Sequence, residues 1–173
     1  MYGDEHGFPA RRLGLRDRGE SVAPFRAAWA ECDPTKPDEP IASRFETHDE
    51  TVYDKRADLT WMRCSYGQAW TEGGGCSGAV KLLDWDSAMA LRLPEGAAWR
   101  LPRKDELESI VATNCKRPAI NETVFPDTPS IQYWTSTPTG PSYAWVVFFR
   151  TGMSTWNFLR TTPFAVRLVR TGR

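Results

Sequence analysis

The last 46 residues, 128–173, contain no Asp and no Glu. All 22 acidic side chains lie at or before Asp127. The same tail holds five arginines (Arg150, Arg160, Arg167, Arg170, Arg173), no lysine and nine aromatic residues. A stretch so poor in solvating carboxylates and so rich in rings must lay them into a core or against a partner. With Thr, Ser, Asn and Arg as its polar residues, it has the composition of a contact surface. Any catalytic carboxylate has to come from elsewhere in the chain.

The chain is neutral overall, but residues 1–127 are net negative and the tail is net positive. Such asymmetry raises nucleic-acid binding as a reading. The pattern Val166-Arg167-Leu168-Val169-Arg170 argues against it, since apolar residues flanked by arginines read as an ordinary strand with one wet face. No nucleic-acid partner is expected. At 173 residues the chain is one domain, long enough to bury a core without a metal. No apolar run approaches the ~20 residues of a membrane span, so no direct membrane insertion is expected. Met1-Tyr2-Gly3-Asp4-Glu5-His6 lacks the apolar centre of a signal peptide. A cytoplasmic protein, a trimmed mature chain and part of a particle released by lysis all remain open.

Of four cysteines, Cys64 and Cys76 bracket the Gly-rich turn Glu72-Gly73-Gly74-Gly75, which lets their side chains meet. A bridge there is worth about 3 kcal/mol. Cys32 and Cys115 remain, either paired or free. Zinc fits poorly: no two cysteines lie two to four apart, and His6 and His48 are near none of them.

Residues 1–43 read as an N-terminal extension and Pro-rich linker. Val22 to Ala30 carry an apolar patch with Phe25, Ala28 and Trp29 on one helical face, and Pro34, Pro37 and Pro40 follow. Residues 44–173 read as an α+β domain. Strands are expected at 51–54 and 59–64. Asp84 caps a helix that turns Trp85, Ala88 and Met89 inward, and Pro94-Glu95-Gly96 ends it. A second helix follows Leu101-Pro102, with Asp105 and Glu106 in its first turn and Asn114 as its stop. Three strands at 133–137, 143–150 and 153–160 form a twisted antiparallel meander, and 164–170 is the last strand.

Six ordered segments carry a family resemblance. They are Leu59-Thr60-Trp61-Met62-Arg63-Cys64 running on to Trp70; Trp99-Arg100-Leu101-Pro102-Arg103-Lys104-Asp105-Glu106-Leu107; Pro118-Ala119-Ile120-Asn121 with Val124-Phe125-Pro126; Tyr133-Trp134-Thr135-Ser136-Thr137; Tyr143-Ala144-Trp145-Val146-Val147-Phe148-Phe149; and the closing Val166-Arg167-Leu168-Val169-Arg170. In that order they resemble the DUF1566 family, the C-terminal domain of Legionella collagen-like proteins, over roughly residues 44–173. The resemblance implies a C-type-lectin-like fold in a bacterial surface, secreted or phage-associated protein, hence an extracellular, cell-surface or virion location. Some relatives are variable proteins of diversity-generating retroelements, whose diversified binding surface maps onto residues 133–170 here. Met153 and Trp156 count against diversification at those two positions, because an Asn-type template codon ending in a pyrimidine yields neither. The chain departs from the family pattern at Asp58, where relatives often have Gly, and at Phe148, where they often have Asp or Asn. Arg103 replaces a helix-capping Thr and cannot accept a bond from the helix N–H groups.

In 143–150 a period of two puts Tyr143, Trp145, Val147 and Phe149 on one face, which is expected to be core. Val146, Phe148 and Arg150 then face outward or into a second layer. The candidate ligand-binding set is Val146, Phe148, Arg150, Thr151, Met153, Thr155 and Asn157, with Trp156 and Phe158 packed inward. An exposed ring beside an Arg is a usual hot-spot pairing. A calcium-dependent sugar site needs six to eight oxygen ligands, and the tail offers no carboxylate. Trp156-Asn157-Phe158 has the wrong third residue for a sugar-binding C-type lectin. Arg100-Leu101-Pro102 before an acidic helix also occurs in formylglycine-generating enzymes, but those use late cysteines and this chain has none after Cys115. No Gly-x-Ser-x-Gly elbow accompanies the histidines.

The expectation is a non-enzymatic recognition module without cofactor or metal. Its partner is a protein rather than a carbohydrate, and residues 1–43 attach it to a larger surface or virion assembly. The alternative is a structural subunit of a pilus, tail or surface assembly.

Overall fold

The computed structural model describes residues 31–36, 41–93 and 98–173. The helix expected around Phe25 and Trp29, and the stop at Pro94-Glu95-Gly96, lie outside them. In chain order the elements are β1 (Glu31–Cys32), α1 (Ile41–Arg44), β2 (Phe45–His48), β3 (Thr51–Asp54), β4 (Leu59–Met62), β5 (Ala69–Thr71), β6 (Gly75–Ser77), α2 (Trp85–Met89), α3 (Lys104–Ser109), β7 (Cys115–Lys116), β8 (Gln132–Pro138), β9 (Tyr143–Phe148), β10 (Met153–Leu159) and β11 (Val169–Thr171). The domain is mostly β-sheet with a few small helices.

Two antiparallel sheets dominate. One runs β11-β4-β3-β2 and the other is the meander β10-β9-β8. The expected last strand is a correction. Only Val169–Thr171 is strand, and it pairs with β4, opposite Trp61, Thr60 and Leu59. Residues 164–168 instead thread between the two sheets. Ala165 exchanges backbone bonds with Gln132 and Trp134, while the carbonyls of Val166 and Leu168 accept from Tyr66 and Met62 N–H.

That threading also corrects the reading of Arg167 as a wet-face residue. It is fully buried. Its guanidinium donates to the carbonyls of Met62 (2.9 Å) and Arg63, and to the hydroxyls of Ser65 (3.3 Å) and Thr128 (2.7 Å). It lies 5.0 Å over the Phe125 ring. Burial pushes the guanidinium down from its ordinary value, and burial pushes the neighbouring Tyr133 phenol up. An acid-free segment on the surface would leave arginines in water; here one of the five is a cross-link between sheets.

Within the meander, β8 and β9 are covered on both faces, while β10 is largely exposed. Tyr133, Val147 and Phe149 join one core cluster with Val52, Trp61, Leu107 and Phe125. Trp134, Ala144 and Val146 join a second with Trp85, Trp99, Val166 and Leu168. Successive side chains point to opposite faces, so both parities of β9 meet apolar neighbours.

The helices are short. Asp84 caps α2 as expected: its carboxylate accepts from Ser87 N–H at 2.8 Å and Ser87 Oγ at 2.9 Å. Trp85 and Ala88 are buried, but Met89, the last helical residue, is exposed, which corrects its expected inward placement. α3 ends at Ser109, well short of Asn114. Its start has no side-chain cap from Arg103. Thr137 of β8 stands in, its Oγ1 accepting from Lys104 N–H at 3.0 Å. Glu106 supplies the reciprocal bond, accepting from Arg103 N–H at 2.7 Å.

Glu106 is buried and gripped by both terminal nitrogens of Arg100 at 2.8 Å. Burial alone would raise its carboxyl, but the bonds from Arg100 and Arg103 N–H outweigh burial and hold it below its ordinary 4.5. A folded-state value below the unfolded one stabilises the fold above the unfolded value, and that stability is lost as pH falls. Denaturant melts should therefore show wild type losing stability faster than Glu106→Gln below about pH 4.5. Equal slopes would contradict this.

Both cysteine pairs are disulfides: Cys64–Cys76 and Cys32–Cys115. The second clips β1 beside β7, where Arg117 also bonds Glu31 at 3.0 Å.

Candidate functional site

The β9–β10 hairpin turns at Thr151-Gly152, whose N–H groups donate to the Phe148 carbonyl at 3.1 and 2.8 Å. Gly152 has φ +77, and a Cβ there would sit 2.7 Å from Val111 Cγ1. The turn can thus lie against the 111–120 segment only with glycine at its centre. Beyond the turn, Met153 pairs with Phe148, Ser154 with Val147 and Thr155 with Val146. The register then slips, and pairing resumes at Phe158 with Ala144 and Leu159 with Tyr143. The slip is a bulge that sets Trp156 and Asn157 in the space of one β9 residue.

The expected site residues separate on this frame. Val146 is removed: it is fully buried in the second core cluster, so it faces the second layer rather than solvent. Phe148 is half-buried, and its cross-strand partner Met153 is 70% exposed. Cross-strand partners share a face, so Phe148 and Met153 form one apolar step with half-buried Thr155 beside them. Asn157 is exposed and tied to Thr155, whose Oγ1 donates to its Oδ1 at 2.8 Å. Arg150 and Thr151 crown the turn, both exposed. The Arg150 carbonyl accepts from Arg117 N–H at 3.1 Å, while its guanidinium has no protein partner among the described residues. Six of the seven residues are thus brought together on one hairpin.

Three inward placements need correction. Trp156 is 56% exposed, because the bulge breaks the alternation that would have turned it inward. Tyr143 is also exposed, since it sits at the open end of the strand opposite exposed Leu159. Trp145 is only half-buried, with Lys104 Nζ 4.7 Å from its ring. Phe158 does pack inward, edge-on against Phe164 at 5.0 Å. Trp156, Tyr143 and Leu159 were not in the expected set. Of the six large exposed apolar residues among those described, four (Tyr143, Met153, Trp156, Leu159) lie on this hairpin. Residues 151–159 carry no charge. Chemically the surface offers rings, a thioether, two hydroxyls, an amide and a guanidinium. These are groups that bury and hydrogen-bond; none is a poised acid or base.

A family model, the Lcl C-terminal domain, matches residues 50–170. The chain belongs to the Lcl C-terminal domain family. No curated protein matches it. The Lcl C-terminal domain match runs from the approach to β3 into β11 and so contains the whole hairpin.

Two clefts beside this surface's parent Lcl C-terminal domain are poorer candidates. One, about 410 Å³, is occupied at its rim by the Arg100–Glu106 pair and by Arg103 and Asp105. The other, about 350 Å³, lies along the β1–β7 clip. Among the described residues no cluster of three or more His, Cys, Asp or Glu side chains could hold a metal ion, and no helix is long and apolar enough to cross a membrane. Two disulfides and the Lcl C-terminal domain membership suit an extracellular or surface setting.

Proposed function

We propose that the chain is a non-enzymatic recognition module that binds a protein ligand through the exposed turn and outer strand of the β9–β10 hairpin. One observation carries the reading: exposed apolar side chains are concentrated on a single hairpin held by a double-sided core. Isolated exposed apolar residues are ordinary, whereas a cluster on a rigid element marks a contact surface. Phe148 and Met153 would supply buried area, Arg150 the directional hydrogen bonds, and Thr151, Thr155 and Asn157 the polar rim. The protein is read as surface- or phage-associated, with a C-type-lectin-like fold. The pairing of β11 with β4, which brings the end of the chain beside the first strands, supports that fold. Diversification by a retroelement remains a finer form of the same proposal. It requires a reverse-transcriptase gene and a near-copy of the terminal coding segment nearby.

The test is a random peptide display library panned against the full chain, with a glycan array run in parallel. Selected peptides should bind Phe148→Ala and Arg150→Ala at least about tenfold more weakly than wild type, as for hot-spot truncations. Peptides that bind both variants as well as wild type would sink the proposed face. Strong array signals lost in the same variants would move the ligand class to carbohydrate.

A further inference from the structure

We propose that residues 22–30 of this chain cross the hairpin turn and cover the Phe148–Met153 step, so that an incoming ligand must displace a segment of the protein itself; the displacement rests on the recognition reading above. The path starts from a fixed point. β1 is held beside β7 by the Cys32–Cys115 bridge, by the Arg117 guanidinium on the Glu31 carboxylate at 3.0 Å, and by Asp33 N–H on the Asn114 carbonyl at 2.8 Å. The register sets its heading. Glu31 lies opposite Lys116 and Cys32 opposite Cys115 in an antiparallel pair, so the chain before Glu31 leaves toward Arg117 and the residues that follow it. The hairpin turn rests on those residues. Arg117 and Ala119 N–H donate to the Arg150 and Phe149 carbonyls at 3.1 and 2.5 Å, and Gly152 lies against Val111 and Ala119.

Reach and chemistry identify the occupant. One strand spacing separates β1 from β7 and one backbone bond separates Arg117 from Arg150, which puts the turn roughly 10–15 Å from Glu31. Phe25 stands six residues before Glu31, a span of roughly 9 Å in a helix and roughly 20 Å in extended chain. Trp29 stands two before it. Both rings therefore come within side-chain reach of the turn. Residues 22–30 carry one charge, Arg26, among seven apolar residues and a proline, and residues 151–159 carry none. Phe148 and exposed Met153 present apolar area to such a segment. The Arg150 guanidinium, without a protein partner among the described residues, suits the face of an indole. A tether this short raises the local concentration of the segment to the millimolar range. A contact too weak to hold between separate molecules is then populated within one. It lowers the apparent affinity for a ligand by the fraction of faces left open.

Photo-crosslinking of the full chain with Met153→p-benzoylphenylalanine tests the contact without a ligand. Links should map to residues 22–30, on molecules of single-chain mass, with a yield that stays constant from low micromolar to submillimolar concentration. Trp29→Phe should keep them. The double variant Phe25→Asp, Trp29→Asp should lose them. It should also bind the peptides of the display screen about tenfold more tightly than wild type, as expected if about nine faces in ten are covered. No link to residues 22–30, or links only between two molecules, overturns the proposal, as does a double variant that keeps the link. An affinity unchanged in the double variant overturns the displacement. Peptides indifferent to Phe148→Ala and Arg150→Ala would instead sink the recognition reading, and the crosslink would still decide the contact.

Discussion

Arg167→Ala should lower the unfolding free energy by about 3–5 kcal/mol, with a melting temperature roughly 10 °C lower. The arginine, fully buried, donates to two backbone carbonyls and two hydroxyls between the sheets. Its loss takes a donor from the Met62 and Arg63 carbonyls, each costing about 1–3 kcal/mol, and adds a cavity beside Phe125, while Ser65 keeps its bond with Tyr133 and Thr128 its bond to the Phe125 carbonyl. Arg167→Met separates the two effects. It keeps most of the volume and none of the donors, so most of the loss should persist in urea melts. Recovery of wild-type stability by methionine would show that packing, not the polar cross-link, holds the sheets together.

Asp54→Ala should cost about 3–5 kcal/mol, by a different route. Asp54 is wholly buried at the end of β3 and accepts from Arg44 at 3.1, 3.1 and 2.5 Å and from Arg56 N–H at 3.1 Å. Arg44, itself buried, also donates to the Ser109 carbonyl at 2.8 Å, where α3 ends. Removing the carboxylate strands a cation in the interior with one neutral acceptor. Asp54→Asn retains the shape and one acceptor and should lose less. Denaturant melts of the two variants check the order; an alanine variant as stable as the asparagine one would contradict it.

Much of this fold is legible locally. Asp84 before an apolar turn, and two cysteines around a Gly-rich turn, are short-range signals, and both hold in the structure. The meander strands lie within a few residues of their expected places because period and turn residues agree there. All but one of the failures discussed next share a cause, a partner distant in sequence. The α3 start looks uncapped because its cap, Thr137, lies 33 residues on. Val146 and Arg167 look exposed if a strand is assumed to have one wet face. Here each parity meets its own core, and the second core is built by residues 164–168 passing between the sheets. Trp156 looks inward-facing because no glycine announces the bulge that turns it out. The candidate site was therefore half legible. Phe148, Arg150, Thr151, Met153, Thr155 and Asn157 converge as expected, while Tyr143, Trp156 and Leu159 emerge only from register and burial.

The most direct test of the recognition account is amide hydrogen exchange on the full chain, with and without the tightest peptide selected against it. The account predicts slowed exchange across the β9–β10 hairpin and its 150–152 turn. Slowing confined to the Arg100–Glu106 cleft or to the β1–β7 clip, with the hairpin unchanged, would contradict it.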